Sequence, residues 1–201
     1  MSERRGNWQQ TYTGRQFWPC DPRPEDVVIE DIAHALSNLC RFAGHCREFY
    51  SVAEHSVWVA RAVARYAREC GSPAAWADQL SLAGLLHDAA EAYCVDVPRP
   101  LKPFLTGYRE IEHGVAAVIA ERFGFSVELF DHPFVKRADE SLLMTEKRDL
   151  MAPPPAPWTF AQGVEAECVG NVSMPWGPRE ARAAFHSCFN RFYRHHPEAS
   201  P

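Results

Sequence analysis

The stretch "LLHDAAEAYCVDVPRPLK" sets His87, Asp88, Glu91 and Asp96 into a run that is otherwise largely leucine, alanine and valine. His87 and Glu91 are four residues apart, and Asp88 and Glu91 three, so on a helix Glu91 shares a face with both. Burying such groups is costly unless they pair with one another or hold a metal ion. A single histidine on an apolar helix is ordinarily a hydrogen-bonded core residue, whereas this cluster asks for a partner. Two more polar residues stand on faces that ought to be buried. His55 lies among Val52, Ala53, Val57 and Val59, and Asp139 among Val135, Ala138, Leu142 and Leu143.

The elements that must position these residues read as helices. From Pro24, "PEDVVIEDIAHALSNLCRF" repeats apolar residues at Val28, Ile32, Ala35, Leu36 and Leu39, the rhythm of one buried helical face. "SVAEHSVWVARAVARYAREC" is a second helix, with Ser51 and Glu54 at capping-box spacing and Gly71 after its end. Residues 74–93 form a third. "REIEHGVAAVIAERFG" is a fourth with Gly124 as its stop, "FVKRADESLLMTEKRDLM" a fifth, and "GPREARAAFHSCFNRFYRHH" a sixth. No alternating β-branched run competes, so the expected fold is all-α: one compact domain over 1–201 with about six main helices. Residues 1–24 read as an irregular, aromatic-rich arm, 25–150 as the core, 151–177 as a long loop and 178–196 as the C-terminal helix. Loops of that length inside compact domains are uncommon and often functional.

A chain of 201 residues with 46% hydrophobic and 23% charged residues has the composition of a globular domain with a substantial core. The net charge of −5 argues against a partner that is polymeric nucleic acid, which favours a basic surface. No run is long and apolar enough to span a bilayer, and "MSERRGNWQQ" lacks the apolar middle of a secretory signal. The seven cysteines form no C-x-x-C pair. Reduced thiols in a cytoplasmic protein are the expectation.

The order His55, then His87-Asp88, then Asp139 resembles the H…HD…D signature of the HD-domain metal-dependent phosphohydrolases. The flanking words "SVAEHS", "LLHDAAEAYCVDVPRPLK" and "KRADESLLMTE" resemble that family as well. Within it, the chain is most similar to the bacterial 5′-deoxynucleotidase branch and to the phage-type dATP triphosphohydrolases. "IEDIAHALSNLCRFAGHCREFYSVAEHS" leans towards the latter. The resemblance implies that His55, His87, Asp88 and Asp139 ligate a divalent transition metal. A mixed nitrogen and oxygen set suits Mn, Co, Fe, Ni or Zn, with Mg a further candidate on the substrate phosphates. It also implies that Glu91 and Asp96 handle protons and that Arg41 and Lys102 face phosphate; Lys136, one turn before Asp139, is a third candidate for the β- or γ-phosphate. Arg99 and Arg137 read as solvated charges. Trp18 and Phe42 are candidates to contact the base, with core packing as the competing reading. His34 and His45 are read as pocket-lining or structural, and His113 as an exposed residue.

The implied activity is dNTP hydrolysis of the dATP type, releasing deoxynucleoside and triphosphate. The alternative is a 5′-deoxynucleotidase acting on dNMPs, and the non-enzymatic alternative is a nucleotide sensor. Guanosine tetraphosphate hydrolases fit less well, because their paired Glu-Asp is Glu91-Ala92 here, and the GYP signature of the cyclic-dinucleotide branch is absent. A homo-oligomer, dimer or larger, is expected by analogy.

Overall fold

The computed structural model describes residues 4–159, 163–167 and 172–193. Its centre is α2 (Val52–Glu69), whose apolar residues recur every three to four positions and bury Val52, Ala53, Val57, Ala60, Val63 and Ala67. Around it pack α1 (Ile29–Asn38), α3 (Ala74–Leu86), α6 (Pro133–Leu150) and α7 (Pro178–Tyr193). The short α4 (Glu91–Cys94) follows α3, and α5 (Tyr108–Arg122) closes the side nearest α4. The architecture is all-α, as the periodicity predicts.

The Ser51 hydroxyl accepts the Glu54 N–H at 3.1 Å, a cap worth about 1 kcal/mol. The other half of the expected capping box is not made. The fully buried Glu54 carboxylate instead accepts the Trp176 N–H at 2.8 Å and the Trp58 indole N–H at 3.3 Å. Burial pushes its pKa up to about 7 despite those donors. Glu54 thus anchors the far end of the 151–177 segment to α2.

α3 meets α2 closely at Gly84, where a side chain would be crowded. A Cβ there would lie 3.1 Å from a Val63 methyl and 3.4 Å from Ala60 Cα. Leu80 to Leu86 are buried on every side because α2, α6 and α7 surround them.

Three boundaries differ from the sequence reading. The first helix divides: Pro24–Asp26 is a separate 3-10 turn, and α1 stops at Asn38 as the backbone turns extended. Cys40 then pairs with Ser51, the Arg41 N–H bonds the Tyr50 carbonyl at 2.9 Å, and the Val52 N–H bonds the Leu39 carbonyl at 3.0 Å. This closure brings Arg41 to the first turn of α2. The third helix is not continuous over 74–93. From Ala89 to Tyr93 each N–H for which a bond is resolved reaches back three residues, as in Ala89 to Leu86 and Glu91 to Asp88 at 3.0 Å. Finally, the N-terminal arm holds a two-residue antiparallel ribbon, β1 (Gln9–Gln10) with β2 (Gln16–Phe17). It plants the fully buried Phe17 ring against Tyr93 at 3.7 Å. The expected helical residues beyond Tyr193 lie outside the described residues.

Among the described residues no helix is long and apolar enough to cross a membrane, and the described cysteines are free thiols. The 151–177 segment is fastened at Glu167. Its carboxylate accepts from Arg65 at 2.6 Å, from the Tyr66 hydroxyl at 2.8 Å and from Arg137 at 2.8 and 3.0 Å. Arg137 is therefore a clamp on this segment and not merely a solvated charge. Burial opposes ionisation of Glu167, but Tyr66 and Arg137 outweigh it and lower its pKa. Its stabilising contribution is accordingly full above the ordinary glutamate value, about 4.3, and lost as pH falls below that through the lowered folded value. Glu167→Ala should therefore speed proteolysis within 151–177 at neutral pH. The difference from wild type should shrink on acidification through that range, as limited proteolysis at several pH values would read.

Candidate metal centre

His55 projects from the first turn of α2, His87 and Asp88 from the turn closing α3, and Asp139 from the middle of α6. The His55 Nε2 is 3.2 Å from Asp139 Oδ1 and 3.7 Å from Asp88 Oδ2. His87 Nε2 is 3.3 Å from Asp88 Oδ2 and 3.9 Å from Asp139 Oδ1. Ligand-type atoms of His55, His87 and Asp88 all lie within 4.8 Å of one another.

Both imidazoles are oriented from behind. His87 Nδ1 bonds the Gly84 carbonyl at 2.9 Å, which makes Nδ1 the donor, so that in the neutral ring Nε2 carries the lone pair. His55 Nδ1 bonds Glu146 Oε1 at 2.7 Å. The two Nε2 atoms are buried and face carboxylate oxygens, His55 towards Asp139 at 3.2 Å and His87 towards Asp88 at 3.3 Å. Two histidine nitrogens turned into a carboxylate-lined site, each oriented through its other nitrogen, form a donor group that could hold a divalent cation. The residues fit the metal that the sequence resemblance implies.

Glu146 is the site residue that sequence reading missed. It is fully buried on α6, and besides His55 it receives Arg41 Nε at 3.3 Å. Arg41 Nη1 in turn reaches Asp88 Oδ2 at 3.3 Å. Its signal was available: Glu146 falls seven residues after Asp139 and four after Leu142, on the same buried stripe.

The electrostatics follow from this crowding. Burial opposes the charge of Asp88, but His87, His55 and Arg41 outweigh it and hold the carboxyl far below its ordinary range. Asp139 is likewise lowered to about 2, burial being overcome by the His55 hydrogen bond and the nearby imidazoles. Glu91 moves the other way, pushed well up by burial and then by Asp88 and Asp96. Asp96 is raised by burial. The metal-side acids therefore stay ionised while the acids across the cavity hold protons more readily.

That cavity, about 590 Å³, is lined by Asp88, Glu91, Asp96 and Asp139 together with Arg41, Arg99 and Lys102. Phe42, His45 and Trp158 add an aromatic side. The structure thus gathers the expected ligands, both expected proton handlers, Arg41, Lys102 and Phe42. Lys102 is already engaged, its Nζ 2.8 Å from Glu112 and 3.9 Å from Glu91.

Two expectations are not met. Lys136 pairs with Asp131 at 2.7 Å and is 58% exposed, away from the cavity, because its long side chain swings towards the N-terminal end of α6. Trp18 is outside the cavity, with Arg4 stacked 4.3 Å over its ring. Arg99 is more than half exposed, as expected, and also lines the cavity rim 3.9 Å from Asp139 Oδ2. Trp158, on the 151–177 segment, joins Phe42 at 6.3 Å between ring centres. His34 stacks on Tyr12 at 3.7 Å, outside the cavity lined by Asp88 and Asp139, and His113 is exposed.

No protein-family model matches the chain. The chain is 38% identical over 180 residues to the uncharacterized Escherichia coli K12 protein YfdR, across 90% of this chain and 92% of that one. It is also 38% identical over 125 residues to an uncharacterized protein of Rhodobacter capsulatus, across 61% of each chain.

Proposed function

We propose, for a chain that belongs to the family of the Escherichia coli protein YfdR, that it is a metal-dependent nucleotide phosphohydrolase of the dATP triphosphohydrolase type. The observation that carries this reading is the pair of buried Nε2 atoms of His55 and His87, which converge on carboxylate oxygens of Asp139 at 3.2 Å and Asp88 at 3.3 Å. These four residues would hold the ion. A bound divalent ion supplies Lewis acidity at a phosphoryl oxygen and lowers the pKa of water.

The remaining steps belong to the chain. Arg41, kept cationic by Glu146 and Asp88 despite its burial, presents a guanidinium suited to bidentate phosphate contact. Arg99 at the cavity lining adds positive charge next to Asp139. Glu91 and Asp96 line the same space, placed to take a proton from the attacking water and return one to the leaving oxygen. Hydrolysis at the α-phosphorus breaks its bond to the 5′ oxygen, which leaves as the deoxynucleoside hydroxyl while the hydroxide from water completes triphosphate. Phe42 and Trp158 provide an apolar side for the nucleoside.

A second reading, a 5′-deoxynucleotidase acting on dNMPs, is favoured by the place of Lys136, which removes one cation from those available to a triphosphate tail. A panel of dNMPs, dNTPs and NTPs with Mn, Co, Zn or Mg, with products separated by anion exchange, tests both. Deoxyadenosine and intact triphosphate from dATP are expected. Cleavage of dAMP but not dATP would reverse the order of the two readings, and nucleotide binding without turnover under any metal would make the protein a sensor. In the same assay Arg41→Ala should lower kcat/KM by about 10²-fold or more, from loss of a charge-assisted phosphate contact and of the partner of Glu146.

A further inference from the structure

Between the α4 carboxylate Glu91 and Asp96 stands a residue in a conformation that its side chain disfavours. Val95 has φ 61° and ψ 157°, a region populated almost only by glycine and worst for a β-branched residue. Its side chain is 55% exposed, so burial gives little in return. The backbone is held on both flanks instead. The Val95 N–H bonds the Glu91 carbonyl at 2.8 Å, and the Val95 carbonyl accepts the Tyr108 hydroxyl at 2.9 Å. Tyr108 sits at the start of α5, and its single hydroxyl proton has the Val95 carbonyl as its nearest acceptor, ahead of Glu112 Oε1 at 3.2 Å and the Cys94 carbonyl at 3.4 Å; that Glu112 oxygen already receives Lys102 Nζ at 2.8 Å. Burial beside Glu112 pushes the phenol pKa up, so it remains a donor. Immediately after Val95 the chain reverses away from α4 and delivers Asp96 and Val97 to the cavity lining.

We propose that Val95 and Tyr108 form a positioning device: the Tyr108 hydroxyl locks the Val95 backbone in its left-handed, glycine-like conformation, and that lock aims Asp96 into the cavity. Tyr108 and Val95 are positioning residues, acting through Asp96 without touching the reacting atoms. The inference rests on the reading of Asp96 as a proton handler in a hydrolytic site, but the backbone lock can be tested apart from it.

The test uses the full chain and its variants Val95→Gly, Val95→Ala, Tyr108→Phe and the two double variants. Glycine should adopt this conformation without steric conflict, so Val95→Gly should raise Tm by roughly 2–4 °C and Val95→Ala should not. Tyr108→Phe removes one oxygen and no ring. Its crystal structure should place Val95 at negative φ with Asp96 turned out of the cavity. Its kcat on dATP with Mn should fall by up to about 10²-fold, the scale of a misplacement of about 1 Å, with KM little changed. Val95→Gly in the Tyr108→Phe background should recover most of that loss, and Val95→Ala should not. A lower Tm for Val95→Gly, an unmoved Asp96 in Tyr108→Phe, or equal rescue by alanine and glycine would each overturn the proposal. If the wild type turns over no nucleotide, the functional reading falls while the Tm and crystallographic results still decide the lock.

Discussion

Replacing Asp88 by alanine is expected to abolish nucleotide hydrolysis, by about 10³-fold or more, while the fold survives. Asp88 Oδ2 lies 3.3 Å from His87 Nε2 and 3.7 Å from His55 Nε2, and it is the carboxylate in the tightest group of candidate ligands. Its loss leaves two imidazoles and Asp139, too few anionic donors to hold a divalent ion firmly. Metal contributes several kcal/mol of charge stabilisation in phosphoryl transfer, and each 1.36 kcal/mol is about tenfold in rate. The fold should persist because Arg41 keeps its second partner, Glu146, at 3.3 Å. Metal content after dialysis should drop below one ion per chain in Asp88→Ala, with far-UV circular dichroism unchanged. Full activity in this variant would remove Asp88 from the mechanism.

Glu146→Ala should act through stability as well as chemistry. The carboxylate is fully buried and balances both Arg41 and His55. Burial disfavours its charge, yet Arg41 and His55 together lower its pKa. Removing one member of a buried ion pair costs up to about 3–5 kcal/mol; here Arg41 keeps Asp88 at 3.3 Å, while its Nε and the His55 Nδ1 lose their buried acceptor. In a chain of this size that cost is a fall in Tm of roughly 6–20 °C. The same change removes the acceptor that orients the His55 ring, which should weaken metal binding by about 10–100-fold. Glu146→Gln keeps the hydrogen-bonding shape without the charge. It should recover part of the metal affinity but not the full Tm, as calorimetry and metal titration would show. If Glu146→Ala matched wild type in both measurements, the ring of contacts behind His55 would carry no weight.

The helices and the residues that meet at the site were largely legible in the sequence, because both rest on local spacing. His55 and Asp139 stood out as polar positions on apolar stripes, and His87 and Asp88 as a cluster. What could not be read depends on tertiary choices. α3 is buried all round, so its composition holds no periodicity to mark the tightened turn after Leu86, where Ala89 bonds Leu86 and Glu91 bonds Asp88. Glu146 looked like one of several charges in "MTEKRDL", although its spacing from Asp139, Leu142 and Leu150 places it inward. Lys136 fails for the opposite reason. Helical position fixes where a lysine begins but not where a flexible four-carbon chain ends, and here it ends at Asp131. Glu54 matched the capping box by spacing, yet Trp176, from more than a hundred residues away, captured its carboxylate.

The central claim is that His55, His87, Asp88 and Asp139 form a metal site that drives hydrolysis of a deoxynucleotide. The direct measurement is dATP turnover by chelator-stripped protein, before and after adding back Mn, with deoxyadenosine and triphosphate quantified together. Negligible turnover is expected in the stripped protein, with equimolar appearance of both products on reconstitution. Equal turnover with and without metal, or none for any deoxynucleotide with any divalent ion, would contradict the claim.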